Sequence, residues 1–213
     1  MNSRERVLAA IRHNQPDGLP VDLGATPSSG ISAIAYDNLL RCLPLKDRRN
    51  WVYDVVQQVA QPSAEVLDYF HIDTVDLGRT FNTQDRDWYD YTLLNGSTAQ
   101  QPVWFRPRKQ PDGSFLAYKD EEAIAIMPAT AISYDQIIFP FLDGYPAHYG
   151  ANLDEAMGRI HWAALAHSPW DHASEVDFWS QLRANALQLR TTSERAIVLS
   201  AGCNLFEWGT FLR

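Results

Sequence analysis

Three short apolar runs constrain this chain most, because each ends at a glycine-containing loop that leads into a helical pattern. They are Leu19-Pro20-Val21-Asp22-Leu23-Gly24, Ile72-Asp73-Thr74-Val75-Asp76-Leu77-Gly78, and Ala196-Ile197-Val198-Leu199-Ser200-Ala201 followed by Gly202. Strand, loop, helix, strand is the grammar of a parallel sheet, whose neighbouring strands need a crossover connection. A closed (β/α)8 barrel takes eight such strands in about 250 residues. Only three can be read in these 213 residues. The expectation is a small open sheet or one part of a larger protein.

The helical patterns between these runs follow from capping and spacing. Asn2 with Glu5 makes a capping box ahead of Val7, Leu8 and Ile11. The loop from Gly24 to Gly30 feeds a helix carrying Ile31, Ile34, Ala35 and Leu39. Val52, Val55, Val56 and Val59 recur at helical spacing and predict a short helix ending before Pro62. Another helix is predicted from Ser63 to about Phe70. Asn152 with Glu155 predicts a helix through Met157, Ile160 and Leu165; Ser174 with Asp177 opens one through Phe178, Leu182 and Leu189; a last begins near Leu205. From about 89 to 139 the texture changes to short aromatic and β-branched segments with turn signals at Asn95-Gly96 and Pro111-Asp112-Gly113. That stretch predicts an antiparallel β-hairpin excursion within a single domain spanning 1–213.

Charge narrows the partners. Eighteen Lys and Arg against twenty-six Asp and Glu leave a net charge of −8, the wrong sign for a general nucleic-acid binder or for an anionic membrane surface. Arg106, Arg108 and Lys109 near Trp104 and Phe105 therefore read as a solvated strand end, or as part of a hairpin covering a barrel mouth. Apolar runs such as Ile137–Leu142 are far shorter than the roughly 18 residues of a membrane span. The first residues mix charges of both signs, unlike a signal peptide. A cytoplasmic protein without nucleic-acid or membrane partners is expected.

Ordered stretches along the whole chain resemble the uroporphyrinogen decarboxylase-like superfamily, which includes corrinoid-dependent methyltransferases. They are Ser3–Ala10 with Pro16-Asp17, Pro20–Gly24, Ser28–Tyr36, Asp54–Gln58, Ile72–Gly78, His167-Ser168-Pro169-Trp170-Asp171-His172 and Gly202-Cys203-Asn204-Leu205-Phe206-Glu207-Trp208. The resemblance implies an α/β fold, the N-terminal part of a (β/α)8 TIM barrel, with its site at the C-terminal strand ends. It also implies that five strands are missing, leaving open edges that invite self-association or a complementing chain.

Two departures from the family's decarboxylases bear on chemistry. They carry arginines in the loop after the first strand, where Gly24-Ala25-Thr26-Pro27-Ser28-Ser29-Gly30 has no Arg or Lys. They also carry an Asp just past the second strand, where this chain has Leu77-Gly78-Arg79-Thr80, with Asp76 earlier. The lean is towards methyl transfer with a corrinoid protein as partner and a small or tetrapyrrole-linked substrate. Porphyrinogen decarboxylation is the alternative, and a fragment without catalysis of its own is another. The resemblance implies zinc and corrinoid only in the longer family context. Zinc ligands would lie beyond residue 213, and no His-x-Cys pair occurs here.

Individual residues carry paired readings. Asp22 and Asp76, each in an apolar strand, are candidate catalytic carboxylates, since burying one needs a partner; a capped amide or a salt bridge to Arg79 is the alternative. Ser28 and Ser29 are candidates for an anion, or a helix cap. Arg79, Cys203, Asn204 and Glu207 are candidate substrate-facing residues at strand ends. His167 and His172 around Asp171 have no standard metal-ligand spacing and read as structural hydrogen-bonding groups.

Overall fold

The computed structural model describes residues 1–160, 162–202 and 205–213, without the side chains of 163 and 164. Helix α1 (Ser3–Ile11) starts at the expected capping box: Asn2 accepts from the Glu5 N–H, and Glu5 accepts from the Asn2 N–H. Strand β1 (Ile31–Ser32) then precedes α2 (Ala33–Cys42), so Ile31 lies in a strand and not in the predicted helix. Strands β2 (Val52–Asp54) and β3 (Val59–Ala60) follow, then α3 (Ala64–Tyr69) and β4 (Thr74–Asp76). Five strands occupy the middle: β5 (Trp88–Thr92), β6 (Thr98–Pro102), β7 (Arg108–Lys109), β8 (Phe115–Lys119) and β9 (Glu122–Met127), with β10 (Asp135–Gln136) after them. Helices α4 (Leu153–Ile160), α5 (Trp162–Leu165) and α6 (Phe178–Thr192), strand β11 (Ala196–Val198) and α7 (Leu205–Leu212) complete the order.

The region 52–59 corrects the predicted helix. Its valines belong to a β2–β3 hairpin, which pairs with β1 in the order β1-β3-β2. Asp54 turns the chain by accepting from the Val56 and Gln57 N–H groups, both at 2.9 Å, and Gln58 completes the turn at φ 53°. β-branched residues fit a pleated surface better than a helix, and an Asx turn competes directly with helical bonding.

Strands β4 and β11 form a parallel pair, Ala196 opposite Thr74 through Val198 opposite Asp76. The first predicted strand is an extended segment beside β4. Asp73 N–H donates to the Val21 carbonyl at 2.8 Å, and Thr74 Oγ1 donates to Asp22 at 2.5 Å. Residue 21 matches 73 and 22 matches 74, so this segment also runs parallel. It forms no regular ladder, because the Val21 N–H bonds the Asp73 carboxylate at 2.9 Å. Burial alone would raise the Asp73 carboxyl, but Val21, Ser3 and Arg6 outweigh it and hold the group below its ordinary value. Helix α1 lies across the far ends of these strands, with Arg4 N–H donating to the Glu194 carbonyl.

The excursion is antiparallel throughout. β5 and β6 close over Asn95-Gly96, with Gly96 at φ 82°, and β7 and β8 over Pro111–Gly113, with Gly113 at φ 88°. β8, β9 and β10 extend the second hairpin into a four-stranded sheet. The Trp51 indole N–H donates to Gln100, and the Trp51 ring stacks on Trp88 at 4.7 Å and 7°, joining β2 to the first hairpin.

Beneath these layers, Tyr36, Val52 and Val66 form one apolar cluster, Val55, Phe105 and Met127 a second, and Leu77, Phe81, Phe178 and Leu182 a third under α6. The architecture is mixed α/β with several small sheets. No sheet closes into a barrel among the described residues. No helix among them is long and apolar enough to cross a membrane.

Candidate functional site

The C-terminal end of β4 gathers the titratable groups whose surroundings change their chemistry. Asp76 is the last residue of that strand and is buried. Its Oδ1 accepts from the Gly78 N–H at 2.9 Å, while its Oδ2 is buried with no hydrogen-bond partner among the described residues. Burial pushes this carboxyl up to about 7, against the opposing pull of the Gly78 N–H and the Arg79 charge. A carboxyl that changes charge near neutral pH is suited to proton transfer.

Tyr53, on β2, brings a buried hydroxyl that also has no partner among the described residues. Burial raises it, and the charges of Asp76, Asp54 and Asp22 raise it further. Asp54 beside it is raised by burial, despite bonds from Gln57 and Val56 and the nearby His167. The His167 ring meets Tyr53 edge-on at 6.1 Å, and its Nδ1 lies 2.9 Å from the Ser168 carbonyl oxygen. Segment 166–168 packs over the β4 end. A Cβ at Gly78 would lie 2.7 Å from Asp76 Oδ2 and closer still to the Ser168 carbonyl oxygen.

A second polar cluster continues from this segment. Asp171 Oδ2 accepts from Asn82 at 2.6 Å, Trp104 at 3.0 Å and Ser168 at 3.3 Å. His172 faces Glu175 at 2.7 Å and Asn82 at 2.9 Å. Both histidines of the 167–172 motif therefore sit in hydrogen-bond networks.

The remaining sequence candidates are spread out. Asp22 accepts from the Ala25 N–H at 3.2 Å and from Thr74, on the edge facing β4. Ser29 exchanges bonds with Thr26 in a single 3-10 turn (Pro27–Ser29), so it caps locally; Ser28 lies inside that turn. Arg79 follows Asp76 but makes no ion pair with it within 4 Å. Its guanidinium donates to the Pro62 carbonyl at 3.2 Å, so of the two structural alternatives for Asp76 the capped amide of Gly78 forms and the Arg79 salt bridge does not. Glu207 sits in the first turn of α7, a helix packed on α4. Cys203 and Asn204 lie outside the described residues. Thus Asp22, Asp76 and Arg79 are brought to one region, and Glu207 belongs to another.

Tyr53, Asp54 and His167 were missed as site residues. One signal was available: Asp54 interrupts the apolar run Val52–Val56 just as Asp22 and Asp76 interrupt theirs. No family model, curated protein or solved structure matches the chain.

Proposed function

We propose that the chain is part of a uroporphyrinogen decarboxylase-like barrel of the corrinoid-dependent methyl-transfer type. The observation that carries the barrel reading is the parallel succession of segment 19–22, β4 and β11, with α3 and α6 leading into the second and third members. The loop 24–30 supports methyl transfer over tetrapyrrole decarboxylation. It offers no cation for a substrate bearing several carboxylates, and Thr26 and Ser29 are bonded to each other. The zinc of that chemistry does not fit the residues present, because no group of three or more His, Cys, Asp or Glu side chains converges among the described residues. This chain's own contribution is a wall of the site and a buried, proton-holding Asp76.

Porphyrinogen decarboxylation is the second reading, and Asp76 favours it: a carboxyl raised to about 7 with Oδ2 unpartnered is a fitting proton donor. Hydroxocobalamin titration followed by absorbance, with uroporphyrinogen turnover assayed in parallel, separates the two. A saturable corrinoid spectral change without porphyrinogen loss is expected. Porphyrinogen loss without a corrinoid change overturns methyl transfer for decarboxylation. Silence in both assays overturns both readings for the 213-residue chain and leaves it without catalysis of its own.

A further inference from the structure

Arg79 also lines a cleft of about 90 Å³ together with Asp47, Arg49, Trp51, Gln61 and Ser63. We propose that this cleft binds a compact oxyanion group, a carboxylate or phosphate, between the guanidinium groups of Arg79 and Arg49.

Hydrogen-bond capacity carries the argument. A guanidinium has five N–H donors, and Arg79 uses one, to the Pro62 carbonyl. No carboxylate lies within ion-pair distance of Arg79 among the described residues. A partly buried, unpaired cation is unfavourable unless something compensates it. Burial lowers the Arg79 guanidinium below its ordinary value; the charge of Asp76 is the strongest opposing influence, and Arg195 and Arg49 add to the lowering. An anion in the cleft would act against that lowering.

Asp47, the acid lining the cleft, is already engaged. Its oxygens accept from the Arg49 N–H at 3.0 Å, from Nε at 3.0 and 3.3 Å and from Nη2 at 2.7 Å. Glu65 is likewise held by the Lys46 and Asp47 N–H groups. Arg49 and Arg79 against Asp47 leave the lining with one surplus positive charge, on a chain whose net charge is −8. Arg49 is positioned over the Trp51 ring, 4.6 Å from its centroid, and its Nη1 makes no hydrogen bond among the described residues, its bonds to Asp47 coming from Nε and Nη2. The Arg79 guanidinium fork suits oxyanion geometry, and Arg49, whose Nε and Nη2 are held by Asp47, adds its Nη1 edge. The cleft does not depend on the barrel reading.

Titration calorimetry of the 213-residue chain with inorganic phosphate and, separately, with succinate tests this at constant ionic strength set by chloride. The chain should bind at least one probe saturably. Preference for succinate would identify a carboxylate ligand, and preference for phosphate a phosphoryl one. Arg79→Gln should abolish binding, and Arg49→Gln should weaken it about tenfold. Arg49 is half-exposed, so its variant keeps the test readable if Arg79→Gln fails to fold. No saturable heat with either probe, or wild-type affinity in a folded Arg49→Gln variant, would overturn the proposal.

Discussion

The parallel β4–β11 pair and the antiparallel excursion reach order by opposite routes. In the excursion each strand pairs with a neighbour in sequence, over Gly96 and Gly113 at positive φ in two of the turns and over Asp120 at φ 53° between β8 and β9. Its ladder hydrogen bonds are local, and its apolar side chains pack both on one another and on Tyr36, Val52 and Val55 of the body. The parallel pair joins residues more than 100 positions apart and is packed by α1, α6 and the Ser168 backbone, all distant in sequence from at least one of its strands. It also contains the buried carboxyl raised to about 7, whereas Asp112 in the excursion is lowered by its bonds from Ser114. Both regions bury hydroxyls or carboxyls without partners among the described residues, Tyr91 and Tyr134 in the excursion and Asp76 in the parallel pair, but burial only makes the two tyrosines harder to ionise, whereas it brings the Asp76 carboxyl to a charge change near neutral pH.

The largest expected break in this comparison is electrostatic. Asp76 holds a proton in the folded chain up to about pH 7, while its unfolded counterpart loses it near 3.8. Folding stability therefore falls as pH rises through this window, by up to about 4 kcal/mol. Asp54, also raised, acts in the same direction. Urea melts between about pH 4 and pH 7.5 should show a much flatter slope in Asp76→Asn; an unchanged slope would place the titration elsewhere.

Gly78→Ala comes next, with a loss of about 3 kcal/mol, because the added methyl meets the Ser168 backbone, which has little room to yield. Hydrogen exchange should then show β4 and β11 amides opening while β8 and β9 stay protected; uniform loss would mean the two regions fold as one. Gly96→Ala, at φ 82° with open space around it, should cost only about 1 kcal/mol in a thermal melt. Smallest is Tyr53→Phe, which removes a buried hydroxyl without a partner. It should leave stability unchanged or raise it by about 1 kcal/mol, and a clear loss would reveal a bond that the structure does not contain.

Local rules made much of the fold legible. The Asn2–Glu5 box, both hairpin turns, β4, β11 and α6 follow from capping, turn chemistry and periodicity. The valines of 52–59 misled because their spacing suits one helix face, while Asp54 and Gln58 form a turn that periodicity ignores. Ser174 and Asp177 mark the start of α6, yet Asp177 makes no side-chain cap bond. Of the candidate site, Asp22, Asp76 and Arg79 were readable as charges interrupting or ending apolar strands. Tyr53 and His167 were not, because 114 positions separate them and only tertiary packing sets one ring against the other.

The Trp51–Trp88 stack has an optical consequence. Two indoles at 4.7 Å and 7° couple their electronic transitions, so the pair should contribute an exciton component to circular dichroism that the other five tryptophans do not. One ring immediately precedes β2, two residues before Tyr53, and the other opens the excursion. The docking of the excursion onto the body of the chain can thus be followed by light absorption alone, without a label and without disturbing either sheet.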